Sequence, residues 1–115
     1  MKLILSTLCL VLCLSLTSSH NTSWQEKKPS DFLLMRESVV RMPQRRDFWS
    51  VDVHYPRHGY NYHMTISAIN VIDSITNTSG AIPTLTAGGP GWKYARVNLK
   101  SPKRRGINST VEIWG

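Results

Sequence analysis

Cysteine is nearly absent from this chain, and both copies, Cys9 and Cys13, fall within its first fifteen residues. That segment has the pattern of a leader that is removed, so the remaining chain is expected to carry no thiol. Disulfides, thiolate metal ligands and a cysteine nucleophile are thereby excluded. Acidic residues are also scarce: seven Asp and Glu stand against fourteen Lys and Arg, a formal charge of +7. Charged residues make up only 18% of the chain, too few for a highly charged disordered tail. No segment sustains a helical period, which excludes a coiled coil. With 115 residues there is room for one core and not for a multidomain enzyme.

Long apolar runs are missing after the first. Lys2 is followed by an almost wholly apolar stretch from Leu3 to Leu16, then by Thr17, Ser18 and Ser19. A basic start, an apolar middle and small residues at the end are the pattern of a secretory signal peptide, here residues 1–19. A membrane-crossing helix needs about 20 apolar residues, so this run predicts a cleaved leader and no membrane span. Losing Lys2 lowers the formal charge from +7 to +6. The expected location is extracellular. Three tripeptides agree with export, at Asn21, Asn77 and Asn108, each an Asn-X-Ser/Thr acceptor for N-glycosylation.

Residues 20–31 are polar and read as a flexible leader; residues 32–115 read as a single β-domain. Phe32 to Met42 is one extended segment, closed by Pro43. In Phe48 to Tyr55, Trp49, Val51, Val53 and Tyr55 share a face while Ser50, Asp52 and His54 share the other. Tyr62 to Asp73 reads as the longest strand, its apolar side switching near Ile69 and Val71. Ala81 to Ala87 holds Pro83 and so belongs at an edge. Gly88-Gly-Pro-Gly91 is a sharp turn, followed by strands Trp92 to Leu99 and Ile107 to Trp114. In the last of these Ile107, Val111 and Ile113 face one way, and Asn108, Thr110 and Glu112 the other. The expected fold is all-β: a small antiparallel β-sandwich or barrel of about six strands, without disulfides.

Few residues suggest chemistry. Ser50, Asp52 and His54 lie on one strand face, but neighbours there stand about 6.5–7 Å apart. A nucleophile and its base need about 2.6–3.2 Å, so the spacing opposes a catalytic triad. His54, His58 and His63 flank one loop without a supporting carboxylate or cysteine motif, and no metal site or cofactor is expected. The Gly88–Gly91 run lacks the Lys-Ser/Thr of a phosphate loop. Lys100, Lys103, Arg104 and Arg105 form the densest positive charge, and Arg41, Arg45 and Arg46 form a second cluster. These are candidates for binding phosphate, sulfate or an acidic protein surface. Trp49, Trp92, Tyr94 and Trp114 read as core or cross-strand aromatics.

The run from Thr84 to Trp92, then Val97-Asn-Leu-Lys-Ser101, Gly106-Ile-Asn and the ending Val111-Glu-Ile-Trp-Gly115, resembles the multiprotein bridging factor two family of small arthropod proteins, often labelled salivary secreted peptides. Ile66 to Asp73 and Asp31 to Arg36 fit as well. Ser109 departs from the family, which has an aromatic or apolar residue there, and Trp114 stands where Tyr is usual. The resemblance implies the family label; together with the leader and the charge clusters it gives the expectation of a secreted, non-enzymatic β-protein that binds an unknown protein or polyanionic ligand, the polyanion being read from charge density. It also implies an alternative, a transcription co-activator bridging a nuclear receptor and the basal machinery, and only that reading involves nucleic acid.

Overall fold

The computed structural model describes residues 21–57, 64–74 and 80–115. The predicted signal peptide, Asn77, His58 and His63 lie outside these residues.

The described chain is built of strands alone: β1 (Thr22–Trp24), β2 (Leu33–Arg41), β3 (Ser50–Tyr55), β4 (Ala68–Asp73), β5 (Ile82–Gly88), β6 (Ala95–Lys100) and β7 (Ile107–Trp114). They form a four-stranded sheet in the order β1-β4-β7-β2 and a three-stranded sheet in the order β3-β6-β5. Every pairing is antiparallel. One core cluster draws on both sheets. Met35 and Val39 of β2, Ile69 and Val71 of β4, and Ile107, Val111 and Ile113 of β7 join Val53 and Tyr55 of β3 and Val97 and Leu99 of β6. Each such side chain contributes about 1.5–3 kcal/mol through burial.

The alternation on β7 follows the sequence pattern at Ile107, Val111 and Ile113, which are buried, and at Asn108, which is exposed; Glu112, expected on the solvent face, is instead only 8% exposed, where Arg36 pairs with it. Ala68 and Ile69 are consecutive and both wholly buried, yet β4 keeps an unbroken register with β7 from Ala68↔Trp114 to Asp73↔Ser109, so the apolar switch read there marks a stretch of strand covered on both faces and not a bulge or a change of sheet. Residues 25–32 lie against the end of the four-stranded sheet, where Phe32 and Gly115 exchange backbone hydrogen bonds and Lys27 Nζ sits 4.5 Å from the Trp114 ring centroid.

Three expectations need correction. Residues 20–31 are not wholly a leader, because Thr22–Trp24 pairs with β4 in the register Thr22↔Val71 and Trp24↔Ile69. Of the strand read over Tyr62 to Asp73, Tyr62 and His63 lie outside the described residues; the described residues 64–67 are not strand, β4 begins at Ala68, and Met64 is half exposed. Trp92 and Tyr94 belong to the turn before β6, not to its core face. They are 58% and 47% exposed and pack edge to face on each other at 5.9 Å. Gly88, at φ +62°, explains where that turn begins, since a Cβ there would strike the carbonyl of Tyr94. The turn is fastened to the segment before β4 by Ile66 N–H to Trp92 O and Gly91 N–H to Ile66 O, both 2.8 Å.

Candidate anion-binding site

β2 ends, β3 begins, β6 ends and β7 begins at the same end of the molecule, as the register Ser50↔Lys100 and Arg41↔Ile107 requires. The connections from β2 to β3 and from β6 to β7 both cross between the sheets there. The structure joins them. Ser101, 2% exposed, accepts the Trp49 N–H on Oγ at 2.8 Å and donates its own N–H to Trp49 O at 2.9 Å. Arg104 N–H donates to Asp47 O at 2.8 Å, and Trp49 Nε1–H donates to Met42 O at 2.7 Å. Gly106 is a point of close approach, because a Cβ would run into the Arg41 carbonyl and the Pro43 ring.

These contacts merge the two basic clusters of the sequence into one surface. Lys100, Lys103, Arg104, Arg105, Arg45 and Arg46 are exposed, and Arg41 is half-buried. Among the described residues none of the seven is in an ion pair; the ion pair that is present, Arg36 to Glu112, lies on the outer face of the four-stranded sheet. Asp47 is the single carboxylate in the two connections, and its Oδ1 accepts the Phe48 N–H. Two of the cations rest on aromatic rings: Lys100 Nζ is 4.7 Å from the Phe48 centroid and Arg41 Cζ is 5.6 Å from that of Trp49. Such contacts are worth about 0.5–1 kcal/mol at exposed sites and leave the cation's outer hemisphere open to an anion. The residues that sequence reasoning missed are the neutral ones, Trp49 and Ser101, whose pairing spans 52 positions and leaves no local signal.

Other candidates are placed apart. Ser50, Asp52 and His54 lie on the outer face of the three-stranded sheet, and Asn98 Nδ2 donates to both Ser50 Oγ and Asp52 Oδ1 at 2.9 Å. The Ser50 hydroxyl is therefore engaged with Asn98. His54 and Asp52, with Glu37, Pro56 and Arg57, line an open cleft of about 420 Å³ beside the edge strands β2 and β3. Asn21 and Asn108 are exposed, Asn108 beside Val40 on the outer face, and Asn21 Oδ1 accepts the Asp73 N–H at 3.3 Å. No helix among the described residues is long and apolar enough to cross a membrane.

The family model described as Transcription activator MBF2 matches residues 24–115. The chain is 31% identical over 96 residues to a probable salivary secreted peptide of Bombus ignitus, covering 84% of this chain and 69% of that one. No solved structure matches it. The matched span takes in strands β2 to β7 and both basic connections, and the chain belongs to the MBF2 family.

Proposed function

We propose that the protein is exported and acts by binding rather than catalysis, its basic end holding an anionic partner. The observation that carries this reading is the merger of seven cations, five on two clamped connections and two, Arg41 and Lys100, at the strand ends that lead into them, none of them neutralised by an ion pair among the described residues. A surface of this kind attracts phosphate, sulfate or carboxylate groups and raises encounter rates with polyanions. Export is supported by the leader pattern, by the three acceptor tripeptides and by the printed name of the bumblebee relative. N-glycans at Asn21, Asn77 and Asn108 belong to the same reading. The test is retention on heparin: exchanging Lys100, Lys103, Arg104 and Arg105 together for Ser should move elution to clearly lower salt. Unchanged retention would remove these residues from the site.

The family's description supports a second reading, a transcription co-activator. Expression in insect cells separates the two. Mass spectrometry of medium and lysate should find a chain in the medium that begins near residue 20 and carries sugar on Asn77. A sugar-free chain in nuclei, with Met1 intact, favours the co-activator.

A further inference from the structure

The basic end is not only charged. Met42, 76% exposed, leads the first connection, and Phe48, 43% exposed, stands next to last in it. Ile82, 65% exposed, is the register partner of Lys100 and so lies on the same sheet face, next to the cation that caps Phe48. The Trp49 indole, bonded to Met42 O, ties Met42 to this group. Three large apolar side chains thus stand in water at one end of the molecule, among Arg41, Arg45, Arg46, Lys100, Lys103, Arg104 and Arg105. A soluble sulfated polymer would be served by the cations alone, and nothing in its chemistry calls for exposed Met, Phe and Ile. Apolar side chains ringed by four to eight cations are what an anionic lipid surface recognises: the cations meet headgroup phosphates while the apolar tips enter the boundary beneath them.

We propose that this end docks on an anionic lipid bilayer, with Met42 and Phe48 entering the interface and the seven cations facing the headgroups. The inference rests on the anion-binding reading above and adds the identity of the anion. No spanning segment is needed. The clamp between Trp49 and Ser101 presents the side chains from a fixed scaffold, so docking orders little that is not already ordered.

Sedimentation with vesicles tests it. The purified chain is mixed with vesicles of phosphatidylcholine alone, or of phosphatidylcholine and phosphatidylglycerol in equal parts, and is also run on heparin. Three variants accompany it: Met42→Ser with Phe48→Ser, Met42→Ser alone, and the fourfold Ser exchange of Lys100, Lys103, Arg104 and Arg105. The parent chain should sediment with the anionic vesicles and not with the neutral ones. The double variant should bind them about tenfold less tightly while keeping its heparin elution, and Met42→Ser should move in the same direction. The fourfold exchange should lose both, at about fivefold per cation on vesicles. Vesicle binding by the double variant equal to the parent's would overturn the proposal. Heparin retention by the parent without sedimentation would also overturn it, and would leave the anion-binding reading standing with a soluble polyanion or an acidic protein as partner. Failure on both supports would remove both readings. Melting curves for each variant verify that these exposed substitutions leave the fold intact.

Discussion

Ser101→Ala is the substitution that best tests how the basic end is assembled. The Ser101 hydroxyl is the acceptor for the Trp49 N–H, and the side chain is almost wholly buried. Alanine keeps the backbone bond from Ser101 N–H to Trp49 O but leaves the Trp49 N–H without its acceptor. A buried donor stripped of its partner costs about 1–3 kcal/mol. Trp49 is half-buried, so the lower part of that range, about 1–2 kcal/mol, applies. For a domain of this size each kcal/mol lowers the melting temperature by about 4–8 °C, so a fall of roughly 5–15 °C is expected. Thermal unfolding followed by circular dichroism measures it. Ser38→Ala is the control: Ser38 is exposed, meets only Thr110 Oγ1 at 3.2 Å, and its loss should stay within about 0.5 kcal/mol. A Ser101→Ala protein that melts with the parent would show that Trp49 N–H reaches water freely and that the hydroxyl does not hold the two connections together.

Two further outcomes concern the rest of the fold. Ser109 is 1% exposed on the inner face of β7 and its Oγ has no hydrogen-bond partner among the described residues, so Ser109→Ala should raise stability by about 1 kcal/mol and melting by about 4–8 °C; a lower melting temperature would contradict this. Asp31 accepts the Lys28 N–H and the Ser67 hydroxyl, both at 2.7 Å, and the Lys28 bond foremost, with Ser67 next, holds its carboxyl below the usual range. A lowered folded-state pKa contributes stability above the unfolded value that is lost as pH falls through the folded one. The melting gap between parent and Asp31→Ala should therefore be full at neutral pH and close on acidification below the usual carboxylate range. A gap that ignores pH would refute the assignment.

Period-two patterning located β2, β3 and β7 because each carries a buried apolar row, and that row is written residue by residue, although on β7 the opposite row also buries Glu112. It failed where burial is decided by a distant partner. Thr22–Trp24 is too short to show alternation and is a strand only because β4 offers it an edge. Trp92 and Tyr94 are good strand formers by residue type, yet the positive φ of Gly88, Gly89 and Gly91 carries the turn past them. Tertiary context outweighs propensity in both cases.

The candidate site divides along the same line. Its cations were visible as two runs, since charge density is a local property. Their union was not, because it depends on backbone atoms of Asp47 and Trp49 meeting Ser101 and Arg104 across the chain. That union carries its own argument about purpose. Bringing seven cations together raises their mutual repulsion and lowers the stability of the compact state. A fold selected for stability alone would set carboxylates among them, as it does at Arg36 and Glu112. Here the connections are held by neutral hydrogen bonds and ring contacts instead, which leave the positive field intact. An anion bound as proposed above would relieve that repulsion, so the parent's melting temperature should rise when heparin is added and the fourfold Ser variant's should not.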